Sequence, residues 1–123
     1  MNTGQSERVC LAEKFKLIDK YWNPKIVGEL NGQFVKLVKF KGKFIWHQHN
    51  NEDELFLVIK GQLKIKLENR EITLKEGDFT IVHRGVQHLP IAEEEVHVLM
   101  FEPKSTINTG ENRNELTTDC EWI

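Results

Sequence analysis

The residues of this chain best suited to chemistry are four side chains gathered around one strand and two turns. His47 and His49 are two positions apart, Glu54 begins the next apolar segment, and His88 follows the glycine turn at Gly85. Side chains at i and i+2 of an extended strand face the same way, so the two imidazoles can converge. Imidazole nitrogen and carboxylate oxygen suit Zn, Fe, Mn, Ni or Co better than Ca or Mg. The sequence therefore indicates a transition-metal site.

Two further residues are candidates for proton transfer beside that site, His83 and Asp53. His83 is interpreted as a general base at the mouth of a pocket, a group that supports the ligands, or a simple turn residue. Asp53 competes with Glu54 for the metal, but the longer side chain of Glu54 favours it as the ligand. Asp53 then remains as a second candidate proton shuttle.

The elements that must position these residues are predicted to be β-strands. Apolar and alternating segments recur every 8–12 residues or so between turn residues, without helical crossovers, which favours a sandwich or barrel. Asn31-Gly32 predicts a hairpin between strands 25–30 and 33–41. Segment 54–60 is apolar on both faces and predicts a central strand. The other predicted strands are 43–49, 62–67, 71–74, 79–83, 88–92 and 96–101.

Strand alternation also predicts what surrounds the four ligands. Ile45, Phe56 and Val58 are expected to line an apolar interior on the ligand side, while Trp46 should face the opposite way. Trp22, Trp46 and Trp122 are interpreted as core or interface aromatics rather than as substrate platforms. A barrel of this size has room only for a small ligand.

Length and charge restrict the class of protein. The chain has 123 residues and a net charge of −2, which predicts one domain and, with no basic stripe, no nucleic-acid partner. No apolar run approaches the roughly 18 residues of a membrane span, and no secretion pattern is present, so we expect a cytoplasmic protein.

Cys10 and Cys120 are interpreted as unpaired thiols, with a bridge between them left open. The lysines of the first strands are interpreted as solvated or edge-protecting: Lys14, Lys16, Lys20, Lys36, Lys39, Lys41 and Lys43.

Two stretches of the sequence resemble the paired motifs of the cupin superfamily. Gly42-x4-His47-x-His49-x4-Glu54-x6-Gly61 is similar to the first block, and Gly77-x5-His83-x-Gly85-x2-His88 to the second. Segments 53–61 and 102–110 also resemble small single-domain cupins described as mannose-6-phosphate-isomerase-like. The chain departs from the family pattern in a first block one residue shorter than usual, in His83 in place of proline, and in Ala92 in place of asparagine.

The resemblance implies a fold and a ligand set. The fold is all-β, a cupin-type double-stranded β-helix or jelly-roll barrel with a short N-terminal helical or irregular arm. The expected metal ligands are His47, His49, Glu54 and His88, and the departures remove none of them. The expected divisions are an arm over 1–24, a barrel over 25–103, and a tail over 104–123 that packs on the barrel or on a partner subunit.

The arm and the ligand set lead to expectations about assembly and activity. The apolar residues Phe15, Ile18, Tyr21 and Trp22 of the arm predict a homodimer. Three imidazoles and one carboxylate leave a divalent metal with positive charge and open positions. The favoured function is a metal-dependent enzyme on a small polar or anionic molecule, of the sugar or keto-acid isomerase type. An Fe(II) dioxygenase, a non-catalytic small-molecule-binding module and a purely structural barrel are the alternatives.

Overall fold

The computed structural model describes residues 6–110 and 112–123, which form one short helix and eight strands. The first five residues of the predicted arm and Glu111 of the predicted tail lie outside this description. The elements are α1 (Leu11–Phe15), β1 (Lys25–Leu30), β2 (Gln33–Lys43), β3 (Glu54–Lys60), β4 (Leu63–Lys66), β5 (Glu71–Leu74), β6 (Phe79–Val82), β7 (Leu89–Pro103) and β8 (Glu121–Trp122).

The longest strand, β7, organises the barrel. It pairs antiparallel with β2, β3 and β4, and these three strands connect it to β1, β6 and β5 respectively. Strand β8 adds a short parallel pairing to β1. Antiparallel pairing of strands distant in sequence closes the sheet around a single interior. This arrangement confirms the predicted all-β jelly-roll fold.

Two of the predicted strand boundaries were wrong. Segments 88–92 and 96–101 are one strand, β7, because the exposed residues Glu93, Glu94 and Glu95 lie where the strand passes from one partner to the next. Segment 43–49 is not a strand: β2 ends at Lys43, and His47 makes only an isolated bridge with His88.

The hairpin between β1 and β2 forms as predicted. Asn31 and Gly32 have φ angles of 51° and 78°, which are the left-handed values required at both central positions of a type I′ turn. Gln33 then begins β2 opposite Leu30. This turn fixes the register with which β2 enters the barrel.

Strand β2 is buried on both of its faces. Lys36, Val38 and Phe40 alternate toward the interior, whereas Leu37 lies on the outer face and is 0% exposed. The outer face is covered by α1 and the residues after it, through Phe15 and Ile18. Apolar burial on both sides gives the strand a strong preference for one register.

The apolar residues of the arm are therefore used largely within the chain. Phe15 is 3% exposed and Ile18 is 2% exposed, so they do not supply the free surface that suggested a homodimer. Both Cys10 and Cys120 are free thiols. Among the described residues, no helix has the length and apolarity needed to cross a membrane.

Candidate metal centre

The backbone brings the two histidine segments together. The His47 N–H donates to the His88 carbonyl over 3.1 Å, and the His88 N–H donates to the His47 carbonyl over 2.9 Å. The Gly85 N–H donates to the His49 carbonyl over 2.8 Å. Glu54 enters from the first position of β3. Backbone hydrogen bonds thus join segments 47–49 and 85–88, and Glu54 reaches them from β3.

The four predicted ligands converge on one point inside the barrel. One ligand atom from each of the four lies within 4.8 Å of the others. Glu54 Oε1 lies 3.0 Å from His49 Nε2 and 3.2 Å from His88 Nε2. All four residues are no more than 4% exposed. The structure therefore brings together the residues that the sequence pattern singled out.

Hydrogen bonds on the far side of two rings set their tautomers. The Nδ1 atoms of His47 and His88 each lie 2.9 Å from a backbone carbonyl, those of Ile45 and Val86. A carbonyl can only accept, so both Nδ1 atoms carry a proton, and in the neutral ring Nε2 keeps its lone pair. Metal-binding histidines in proteins are oriented in this way.

The inner atoms of the cluster fit a bound cation. His88 Nε2 and Glu54 Oε1 are 3.2 Å apart, so two lone pairs face each other unless the ring takes a second proton or a cation lies between them. His49 lies close to Glu54, but its ring is not aligned for a hydrogen bond, and both of its nitrogens are buried without a partner. Buried polar atoms without partners are rare in proteins. The donor set of three imidazoles and one carboxylate suits a divalent transition metal.

The charge states at neutral pH favour metal binding. Burial and the neighbouring His88 lower the pKa of His47 to about 4, which keeps this ring neutral. Burial raises the pKa of Glu54, but the rings of His49 and His88 outweigh it and hold that pKa well below its usual value. Burial lowers the pKa of His49, but closeness to Glu54 outweighs this and the net shift is upward. The carboxylate of Glu54 thus favours a positive charge at this position, which a metal ion would supply.

A cavity opens beside the cluster in the barrel interior. His47 and Glu54 line it on one side, and Trp22, Phe40 and Phe44 stack on one another as part of its wall. The space open to the centres of water-sized groups measures about 30 Å³, so the cavity accepts only a small ligand. The remaining lining residues are Pro24, Lys36, Phe56, Pro90, Met100, Glu102 and Asn108.

The wall of this cavity corrects two expectations from the sequence. Phe44 lines it instead of Ile45, because the backbone between β2 and His47 leaves the strand conformation and the alternation shifts. Trp22 belongs to the cavity wall as well as to the core. Phe56 does line the interior as predicted, Val58 is buried in the core, and Trp46 is 42% exposed and does not line the cavity.

Lys36 and Glu102 form a buried ion pair in the same cavity, which the sequence analysis missed. Lys36 Nζ lies 3.4 Å from Glu102 Oε2, and both residues are 2% exposed. Interpreting Lys36 as a solvated lysine was therefore wrong, since alternation along β2 directs it inward with Val38 and Phe40. The available sign that Lys36 faces the interior was the apolar Val38, two positions on along β2.

Both members of this pair have shifted acidities. Burial, followed by the charge of Glu54, raises the pKa of Glu102 to about 7. Burial lowers the pKa of Lys36, but the charges of Glu102 and Cys120 outweigh it and the net shift is upward. Lys36 is therefore a cation at neutral pH, whereas Glu102 is close to the midpoint of its titration.

His83 and Asp53 lie at the surface and do not line the cavity. Their side chains are 72% and 40% exposed, and the His83 Nδ1 atom is 3.8 Å from Asp53. Arg84 donates from its backbone and its guanidinium to Asp53 and lowers the pKa of that carboxyl. The predicted catalytic role of His83 and Asp53 stays a prediction.

The C-terminal tail covers the outer side of His49. Gly110 has a φ of +60°, and a Cβ atom there would overlap the Gln48 carbonyl and press on the His49 ring. Only glycine allows such an approach at this conformation. A second pocket, of about 160 Å³, lies between the tail and the barrel and is lined by His49, Glu52, Ser105, Ile107, Gly110 and Arg113.

Comparison with known proteins agrees with this geometry. Residues 34–102 match the model of the family described as Cupin domain. The chain belongs to the cupin family. The matched region contains the four converging residues together with Lys36 and Glu102.

Solved structures of other cupin-like chains share the fold. A cupin-2 domain containing protein from Shewanella frigidimarina NCIMB 400 is 38% identical, with a TM-score of 0.76 over 77% of this chain and 93% of that chain. Protein NMB1881 from Neisseria meningitidis is 26% identical, with a TM-score of 0.73 over 79% of this chain and 99% of that chain.

Curated relatives match a shorter part of this cupin. The uncharacterised protein YdbB of Bacillus subtilis (strain 168) is 36% identical over 63 residues, which cover 50% of this chain and 56% of the relative. The chain thus spans about half the length of the curated relatives it matches. The names of these relatives assign no substrate.

Proposed function

We propose that this cupin is a metal-dependent enzyme that catalyses proton transfer on a small oxygen-bearing molecule, as a keto-acid or sugar isomerase does. The observation that carries the proposal is the buried His47–His49–Glu54–His88 cluster facing a cavity that also holds an ion pair. A divalent metal held by these residues would supply a Lewis acid that stabilises negative charge on a bound oxygen.

The residues of the chain supply the rest of such a site. The aromatic wall of Trp22, Phe40 and Phe44 excludes bulk water, which strengthens every charge interaction inside the cavity. Backbone carbonyls hold the rings of His47 and His88, so no reorganisation is needed on binding. The likeness of segments 53–61 and 102–110 to mannose-6-phosphate-isomerase-like cupins supports isomerisation.

Oxidation is the second candidate, with Fe(II) as the metal. Three imidazoles and a carboxylate leave coordination positions open, and the small apolar cavity would admit dioxygen beside a compact substrate. This candidate requires oxygen, whereas isomerisation does not. A measurement of turnover without oxygen therefore distinguishes the two candidate functions.

The test begins with removal of metal by a chelator and reloading with Zn, Fe(II), Mn, Ni or Co. Turnover of sugar phosphates and 2-oxo acids is then measured with and without oxygen. We expect turnover that depends on metal and persists without oxygen, and that is lost in His88→Asn but kept in the matched control Gln87→Asn. Equal turnover by the metal-free and the metal-loaded protein would contradict the proposal. Turnover only with Fe(II) and oxygen would establish the dioxygenase.

We also propose that the protein forms a homodimer, now through strand β6. Phe79 and Ile81 are 61% and 44% exposed on a strand that pairs only with β3 among the described residues. Exposed apolar side chains on an edge strand favour association. Light scattering should give twice the chain mass, and Phe79→Ser with Ile81→Ser should give the monomer.

A further inference from the structure

The cavity holds one charged pair that metal binding does not require. Lys36 and Glu102 stand on neighbouring strands, with Lys36 opposite Met100 and Glu102 opposite Phe34 in the β2–β7 register. Both line the cavity that His47 and Glu54 also line. Any molecule that fills this cavity therefore contacts the cluster and the pair together.

The pair is not explained by stability. Taking two charges out of water is costly, and a buried ion pair is often no better for stability than an apolar pair of the same volume. On the inward face of β2, Lys36 is followed by Val38 and Phe40, so an apolar residue would suit this position. A charge that the fold does not need is a candidate for ligand binding.

Lys36 has bonding capacity to spare. An ammonium has three donors, yet its one carboxylate contact among the described residues is 3.4 Å long, against roughly 2.7–2.9 Å for a well-formed charge-assisted bond. Cys120 is a second hydrogen-bond partner, which leaves one of the three donors for a ligand. An oxygen of a ligand could therefore bind Lys36 without displacing Glu102.

The cavity also restricts the size of that ligand. About 30 Å³ of free volume between aromatic rings admits a compact molecule of a few heavy atoms and not a sugar ring with a phosphate. One oxygen of the molecule must face the cluster and another must reach Lys36. A short carbon chain with adjacent oxygen functions satisfies both requirements.

We propose that Lys36 binds the carboxylate of a small 2-oxo or 2-hydroxy acid whose other oxygen faces the His47–His49–Glu54–His88 cluster, and that Glu102 positions Lys36. This inference rests on the proposed function, since it uses the same metal centre. It narrows the substrate from small oxygen-bearing molecules to compact acids with two neighbouring oxygen functions. It also assigns binding of the acid to the buried Lys36 and not to the surface residues His83 and Asp53.

The test uses the full chain loaded with Co(II), whose absorption reports the metal environment directly. Pyruvate and lactate are titrated in, with acetone and acetate as probes that each lack one of the two oxygen functions. The variant is Lys36→Met with Glu102→Gln, which removes both charges and leaves none uncompensated. Lys41→Met, on the exposed end of the same strand, is the matched control.

Wild type should bind pyruvate or lactate at least about 10-fold more tightly than acetone or acetate, because acetone lacks the carboxylate that Lys36 would bind and acetate lacks the oxygen that would face the cluster. The double variant should bind cobalt as wild type does and lose about 10- to 100-fold in affinity for the acid. Lys41→Met should change neither.

Two outcomes would overturn the inference. The double variant could bind pyruvate and lactate as tightly as wild type does, or wild type could bind all four probes equally. The wild-type selectivity measurement needs no variant and so decides the question even if the double variant does not fold. Failure of wild type to bind cobalt is a different result, since it removes the proposed metal enzyme itself.

Discussion

The interior of this barrel has an apolar half and a polar half, although the same strands build both. On β3 the inward positions run from Glu54 through Phe56 to Val58, and on β7 they run from Glu102 through Met100 to Val98. Val58 and Val98 are 0% exposed. Each strand thus passes from charge to hydrocarbon within five residues.

The contrast shows that burial serves two purposes in one barrel. In the apolar half, burial removes hydrocarbon from water and stabilises the fold. In the polar half, burial shifts the pKa of His47 downward and that of Glu102 upward, which is unfavourable for folding but useful for binding. Substitutions in the apolar half should therefore lower stability and leave metal binding unchanged. Substitutions in the polar half should weaken metal binding with little loss of stability.

The largest expected effect on stability comes from the apolar half. Leu63 is 0% exposed in the main core, and Leu63→Ala should lower the free energy of unfolding by about 2–5 kcal/mol. Metal stoichiometry of the folded protein should not change. Urea unfolding followed by elemental analysis measures both, with Leu30→Ala, at a 57% exposed position, as the control. Loss of metal by a folded Leu63→Ala protein would contradict the division into halves.

The next effect concerns the polar half alone. His47→Asn should weaken metal binding by about 100-fold or more, because even changes to groups that only support a ligand cost about 10- to 100-fold. The metal-free protein should keep most of its stability at neutral pH, because the His47 ring is uncharged there and its lowered pKa is costly only in acid. Competition with a chelator gives the affinity, and thermal unfolding gives the stability. A large fall in the stability of the metal-free variant would show that the cluster is structural.

The third effect is a pH dependence. Glu102 has a pKa near 7 in the folded protein against 4.5 in the unfolded one, so the folded state binds more protons between these values. Its contribution to stability is therefore complete below about pH 4.5 and is lost as the pH rises through 7, by up to about 3 kcal/mol. Glu102→Gln should lack this fall.

His47 causes a pH dependence of stability with the opposite sign, which is the same in wild type and in Glu102→Gln. The difference between the two proteins therefore measures the contribution of Glu102 alone. Metal-free protein is unfolded in urea at pH 4.5, 6 and 8 to measure it. Parallel stability curves for the two proteins would mean that Glu102 titrates normally.

The smallest effect lies where the tail covers the polar half. Gly110→Ala should cost about 1 kcal/mol or more locally, because alanine disfavours the left-handed backbone and its Cβ would meet the Gln48 carbonyl. Hydrogen exchange should speed up at Gly110 and at the Asn112 amide, which donates to the Thr109 carbonyl. The apolar half should exchange as before. Unchanged exchange in the tail would show that the close contact is not required.

The sequence predicted which side chains form the candidate metal centre because they follow a family-like spacing. His47, His49, Glu54 and His88 lie in one cluster, although segment 43–49 is not the strand whose alternation was expected to bring the two histidines together. The hairpin at Asn31-Gly32 was equally local. Such features depend on neighbours in sequence, and a single chain displays them directly.

Features that depend on tertiary burial could not be predicted in this way. Lys36 looked like its solvated neighbours, because its one local sign, the apolar Val38 two positions on, does not show that both faces of the strand are buried. The pKa of Glu102 is shifted by burial and by the charges of Glu54 and Lys36, which lie far away in sequence. Phe44 replaced Ile45 in the cavity wall because the strand ends early and shifts the alternation.

The two-sided burial of β2 has a consequence for how the chain can vary in length. Removing one residue after the hairpin would turn Leu37 into the cavity and Lys36 out beneath Phe15 and Ile18, so the binding site and the outer packing would fail together. Changes in chain length are therefore expected at the exposed Asn31-Gly32 loop, whereas a single-residue insertion in the doubly buried stretch 36–38 would exchange the two faces of the strand.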